Sequence, residues 1–420
     1  MTLRVATAFS DAVLESRVVH ATSSAMSDAI VVRRCRDVVE LRAVAEAAQV
    51  DVAVVDGAMR GLDRDVVARL TECAVRLVAV SDSPDDLVAI GVGAVVGRDL
   101  IGLSDAFHDS SNGSQTALPI ADVVHEPTGR TVAVWGPVGA PGRTTVAIEL
   151  AVALAQLGGD SLIVDLDTMG PSVAQLLGLI DDTSGLAAAV RAAARGAIES
   201  EVLASLAVAV PAGPRVLVGL PSPERWTELR PASTAAVLQC ARVLVPWTVL
   251  DLGSCIEGSD LDWAEPGTPQ RFGAARTALV DADIVLCVGR TDPIGLTRML
   301  RELPKVQALA ATADLRLVLN RTSGGAASRR ALELVSGVVG QPAIELLDDA
   351  RNVQRAVARG CPVSEVSPTS ALVTGVEQLA RELLSEAGSY HQGRDGAART
   401  HRRLLRGTHR RHRRRNAGVV

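Results

Sequence analysis

The sequence predicts an α/β protein built on two doubly wound sheets, one in each of two successive domains. Three observations carry that prediction. Short β-branched runs alternate with helix-period segments, which is the pattern of parallel sheets covered by helices. The alternation occurs twice, on either side of a polar, irregular stretch that begins near Ser104. The second series opens with a strand, a glycine-containing loop and a helix in immediate succession, over Thr131–Thr145.

In the first series the strand candidates are Leu3–Ala8, Ile30–Val32, Val52–Val55, Val75–Val80 and Ala94–Val96. Between them Ala12–Val19, Val38–Ala48, Arg64–Cys73 and Pro84–Ile90 carry helical periodicity. Five strands so arranged imply a flavodoxin-like order. The second series places strands at Thr131–Trp135, Ser161–Leu166, Arg215–Val218, Thr248–Leu252, Ile284–Val288 and Leu315–Leu319. Its helices fall at Thr144–Leu157, Thr234–Leu244, Pro293–Leu303 and Arg329–Val335. The expected organisation is a first domain over 1–104, a linker over 105–129, a second domain over 130–387 and a disordered tail over 388–420.

Composition narrows the function. Of 420 residues 48% are apolar and 22% charged, ordinary for a globular chain. No window offers the ~18 uninterrupted apolar residues of a spanning helix, and the opening residues lack the layout of a signal peptide. Six scattered cysteines without a C-x-x-C pair argue against a zinc site or a disulfide framework and for a reducing cytosol. Eight aromatic residues are too few for a base-stacking platform. The net charge of −5 hides an asymmetry: Arg394–Arg415 holds ten arginines and one acid, so it carries +9 and leaves −14 on the rest. Such a tail could bind anionic lipid, nucleic acid or an acidic partner, or stay solvated with no specific target, and only Leu404 and Leu405 in it could insert into a membrane.

The richest stretch is Trp135-Gly136-Pro137-Val138-Gly139-Ala140-Pro141-Gly142-Arg143-Thr144-Thr145. A strand, a glycine loop and a helix N-terminus aim backbone N–H groups at phosphates. A basic residue followed by Thr adds a charge for phosphate oxygens and a hydroxyl for Mg²⁺. Three further patterns follow: Leu162-Ile-Val-Asp165-Leu-Asp167, Trp247-Thr-Val-Leu-Asp251-Leu-Gly253 and Leu315-Arg-Leu-Val-Leu-Asn320-Arg321. A fourth joins Leu347-Asp348-Asp349 to Ala356-Val-Ala-Arg-Gly360-Cys-Pro362. Simpler roles also fit these residues: a plain turn at Gly136 and Gly139, helix caps at Asp167 and Asp251, a turn at Asn320, a packing anchor at Trp226.

Taken in order, these segments resemble the MinD/ParA family of P-loop ATPases, and within it the CpaE/TadZ and septum-site-determining branch. The resemblance implies ATP and Mg²⁺ as ligands, with Gly139, Gly142, Arg143, Thr144, Thr145 and Asn320 holding the nucleotide. It implies Thr144, Asp251 and Asp165 around the metal, Asp167 orienting the attacking water and Arg143 offsetting phosphoryl charge. The chain departs from the family pattern where Arg143 replaces the phosphate-binding Lys and Val138 replaces the second, signature Lys. Pro137 and Ala140 replace glycines, and Pro141 removes an amide donor. Nucleotide binding with slow turnover at most is the expectation.

The first domain resembles a response-regulator receiver, with Asp56 at the phospho-acceptor position and Ser81 at the end of the fourth strand. The acidic pair after the first strand is missing, Asp11 alone being offered, and Gly97-Arg98 stands where receivers carry Lys. A lone carboxylate does not hold the cation that phosphoryl transfer needs, so a pseudo-receiver used for protein contacts is expected. The leading functional expectation is a nucleotide-dependent spatial regulator acting in septum placement or in positioning a pilus or secretion machine. It would be cytoplasmic, peripheral at the inner face of the membrane, able to form a homodimer and partnered by proteins of those machines. A non-hydrolysing scaffold of the same fold and a ParA-like DNA-partitioning factor remain open alternatives.

Overall fold

Strands rich in Val, Ala and Leu on both faces need cover on both faces, and the chain supplies it twice. The computed structural model describes residues 2–23, 28–108, 129–139, 142–179, 182–257 and 270–387. The basic tail and most of the expected linker (109–128) lie outside the described residues, as do Ala140 and Pro141 of the glycine loop.

The first unit contains β1 (Leu3–Ala8), β2 (Ala29–Cys35), β3 (Val52–Asp56), β4 (Arg76–Val80) and β5 (Ala94–Val96). All are parallel, in the order β2-β1-β3-β4-β5. The helices Ala12–Thr22, Val38–Glu46 and Arg64–Glu72 begin at Asp11, Asp37 and Asp63, whose carboxylates each accept two backbone N–H groups of the first turn. Leu41 and Leu70 fill one face of the sheet, Val18 and Phe107 the other. The expected linker starts too early in one respect. Leu103–Ala106 is helical and Phe107 is only 2% exposed, because its ring closes the core that Leu103 begins.

The second unit adds β6 (Arg130–Trp135), β7 (Ser161–Leu166), β8 (Val208–Ala209), β9 (Arg215–Leu217), β10 (Trp247–Leu252), β11 (Ile284–Arg290), β12 (Asp314–Thr322) and β13 (Ile344–Leu347). Their order is β13-β12-β11-β6-β10-β7-β9-β8, parallel throughout except for the short β8–β9 edge pair. One side of the sheet is covered by Gly185–Ala194, Pro231–Leu244, Gly273–Asp281 and Pro293–Leu309. The other is covered by Arg143–Gln156 and the helix over 371–387. β6 lies between β10 and β11, so successive strands depart from it in both directions. In open α/β sheets that reversal opens a crevice at the carboxyl ends of the strands.

The two units touch. Arg64, 7% exposed, donates Nε to the Ala193 carbonyl at 2.9 Å and Nη2 to the Ala89 carbonyl at 2.5 Å. Arg230 pairs with Asp63 at 2.8 Å. The Asp65 carboxylate accepts from Ala232 N at 3.0 Å and Ser233 N at 3.2 Å, and also from the Ser233 hydroxyl. An acid of the first unit thus caps the helix Pro231–Leu244 of the second.

Candidate functional site

Because β7 and β10 are in register with Asp165 opposite Asp251, two carboxylates emerge side by side at the crevice. β6 runs into the glycine loop beside them, and the loop feeds the helix Arg143–Gln156. Gly142 sits at the cap of that helix with φ +98°, which favours glycine, and no side chain caps the first turn. The amides of Arg143, Thr144 and Thr145 therefore head an uncapped 14-residue helix, the arrangement that favours an anion.

Arg143 is folded over the loop. Its Nη1 donates to the Gly136 carbonyl at 2.8 Å and, more weakly, to that of Pro137 at 3.4 Å. Its Nη2 lies 3.6 Å from Asp167 Oδ2. Asp167 Oδ1 in turn accepts from Met169 N at 2.9 Å and Gly170 N at 3.0 Å, so it braces the turn after β7 rather than capping the next helix, as the simpler reading had it. Gly253 is what admits it, since a Cβ there would stand 2.8 Å from Oδ1.

Asp165 and Asp251 differ in their partners. Asp165 accepts from Asp167 N at 3.2 Å, Ser172 N at 3.0 Å and Val173 N at 3.1 Å, and so holds the segment after β7 in place. Asp251, 1% exposed, has no hydrogen-bond partner on either oxygen among the described residues. It caps no helix. The Thr144 hydroxyl lies near enough to offset part of its desolvation, outside hydrogen-bond geometry, while accepting from Ser172 Oγ at 3.3 Å. Burial, then the neighbouring Asp165 charge, push the Asp251 carboxyl well above the usual range. Burial likewise pushes Asp165 up to about 7.

At the helix end of the loop a cavity of about 130 Å³ is lined by Gly142, Thr145, Asn320, Asp348, Val353 and Leu372, among others. Asn320 is buried and its Oδ1 accepts from Arg321 N at 2.9 Å. Its Nδ2 lies 2.2 Å from the position a Cβ on Gly142 would take, so any side chain at 142 would displace it. Arg321 has φ +56°, uncommon for a residue other than glycine, and its Nε reaches Asp348 Oδ1 at 3.1 Å. The structure thus brings Arg143, Thr144, Asp165, Asp167 and Asp251 to one mouth of the loop, and Gly142, Thr145 and Asn320 to the cavity. Gly139 stands at the loop tip with φ +77°. Sequence reading missed Ser172, Val353 and Leu372, which carry no motif and reach the site only through the fold. Gly360 serves packing: with φ +61°, a Cβ on it would lie 2.8 Å from Gly178 Cα. Trp226 packs half-buried on the core, as an anchor.

In the first unit Asp56 is buried, accepts from Ala58 N at 3.0 Å and lies 3.8 Å from Arg98 Nη2. Asp11 is committed to its helix cap. No group of three His, Cys, Asp or Glu among the described residues is placed to hold a metal, and no described helix is long and apolar enough to cross a membrane.

Fold and loop together define a P-loop-type α/β nucleotide domain. Residues 132–363, more than half of the chain, match the CobQ/CobB/MinD/ParA nucleotide binding domain, and the chain belongs to that family. No curated protein matches it. Among solved structures, a ParA family ATPase from Chlorobium tepidum TLS is similar, at 19% identity and TM-score 0.51, covering 60% of this chain and 98% of that one. The septum site-determining protein MinD from Pyrococcus horikoshii OT3, complexed with Mg-ADP, is similar at 18% identity and TM-score 0.50, covering 62% and 98%. At these identities the likeness is one of fold.

Proposed function

We propose that the chain is a nucleotide-dependent spatial regulator: ATP binds at the glycine loop, and the bound state controls contacts with other proteins. One observation carries this reading, the buried Asp251 carboxylate with both oxygens unpartnered beside Thr144 and the uncapped helix. An unpaired buried carboxylate is unfavourable unless a cation or donor completes it. Thr144 and Asp251 fit Mg²⁺, which when bound neutralises phosphate charge. Asp165 would hold the turn after β7 behind them. The cavity at Asn320 would take the base, the amides of Gly142 to Thr145 the phosphates next to it. Asp167 would orient water and Arg143 offset developing charge once freed from the loop carbonyls. The similar MinD is a complex with Mg-ADP, which agrees with this choice of ligand.

Membership of a septum-site or CpaE-like branch, with the first unit as a pseudo-receiver for protein contacts, completes the proposal. A homodimer, partners in division or pilus assembly and peripheral attachment at the inner membrane face belong to it as well. The strand order of the first unit and the commitment of Asp11 to a helix cap support the pseudo-receiver reading. A second reading, a scaffold without turnover, is favoured by Arg143 spanning two loop carbonyls and Asp167. Titration of the full chain with a fluorescent ATP analogue and Mg²⁺ separates them. Saturable binding that weakens at least ~10-fold in Arg143→Ala is expected. No binding by the natural chain would leave the scaffold.

A further inference from the structure

Arg143 is not alone on the loop. Arg298, on the helix Pro293–Leu309, donates Nη1 to the Val138 carbonyl at 3.1 Å. A Cβ on Gly139 would stand 2.5 Å from that nitrogen, so the guanidinium lies against bare backbone. The helix is fixed: Asp292 accepts from Gly295 N at its start, and Met299 and Leu303 are buried on its inner side. Arg298 therefore reaches the loop from a rigid element.

Across a trans peptide the C=O and the next N–H point in opposite directions. Holding the Val138 carbonyl thus aims the Gly139 N–H away from Arg298, and that N–H meets no acceptor among the described residues. The contact lies at the end of the loop away from the cavity, which is lined by Gly142 and Thr145 and not by Val138 or Gly139. A nucleotide with its base in the cavity presents its last phosphate nearest that far end. There the Val138 side chain, 63% exposed, offers no charge.

Building on the nucleotide reading above, we propose that Arg298 is a positioning residue for the terminal phosphate of a nucleoside triphosphate. It sets the Gly139 amide and brings a second guanidinium to the loop from within the same chain. Arg298 is exposed, so its replacement leaves the core untouched.

The test is equilibrium titration of the full chain, Arg298→Ala and Arg298→Lys with fluorescent analogues of ATP and of ADP, in Mg²⁺. Arg298→Ala is expected to weaken ATP about 10-fold and ADP less than about 2-fold. Arg298→Lys, which keeps the charge without the fork, is expected to fall between. An equal loss for both nucleotides would make Arg298 merely structural and overturn the proposal, as would no change for either. A natural chain that binds neither analogue would overturn the nucleotide reading itself, and the assignment of Arg298 with it.

Discussion

Asp251 concentrates the energetics of the site in one side chain. Its carboxyl holds a proton more readily in the fold than in the unfolded chain, because burial and then the Asp165 charge raise its pKa well above 3.8. The stability tied to that shift is complete below the unfolded pKa and disappears as pH rises through the folded value. Asn at this position removes the charge and keeps the shape. Asp251→Asn is therefore expected to melt above the natural protein, with a gap that widens from about pH 5 to about pH 8. At the upper end it should reach ~2–8 °C, the shift of ~1–3 kcal/mol in a protein of this size. Calorimetry across that pH range checks it, and a gap that narrows would refute it. If the chain binds nucleotide as proposed above, the same variant should also weaken any stabilisation by Mg²⁺ and nucleotide. Loop and strand-end residues such as Arg143, Thr144 and Asp251 were legible in the sequence because strand, loop and helix are contiguous. Ser172 and Arg298 were not. Each meets the loop or the helix it feeds from a distant segment, and local pattern holds no record of such meetings.

At the level of elements, two glycines predict opposite outcomes. Gly360 ends the helix Ala350–Arg359 at φ +61°, back to back with Gly178. Gly360→Ala adds both a strained backbone and a 2.8 Å contact, and should cost about 1–3 kcal/mol. Gly337 lies inside the helix Ala326–Val339 with nothing within 4 Å of an added Cβ. Gly337→Ala should stabilise by about 0.5–1 kcal/mol. Urea midpoints of the two variants check both signs. Strands with β-branched runs, such as β3, β6 and β7, were read within a residue of their ends. The helix Gly185–Ala194 was not, because a run of alanines has no polar face to mark a period. β8 is two residues long and β13 is an edge strand, so neither stands out from its surroundings.

At the scale of the molecule, the contact between the units combines ion pairs, such as Arg230 with Asp63, with side chains of the first unit bonded to backbone of the second. Arg64 meets the Ala193 carbonyl of the second unit while also holding the Ala89 carbonyl of its own, and Asp65 meets two amides at a helix start of the second. Nothing in the sequence announced this, since Asp63-Arg64-Asp65 reads as an ordinary charged helix start. Arg64→Ala leaves both carbonyls without their charged donor and should cost ~2–4 kcal/mol. Faster amide exchange over Arg64–Glu72 and Pro231–Leu244, with the first sheet unaffected, would show the loss. Unchanged exchange in both helices would mean that the contact contributes nothing. Gly196 has no room to spare against Ala89, where an added Cβ would come within 2.7 Å. The leading sheet is accordingly keyed, like a handle pinned to a blade, to the helices Gly185–Ala194 and Pro231–Leu244 that cover one side of the second.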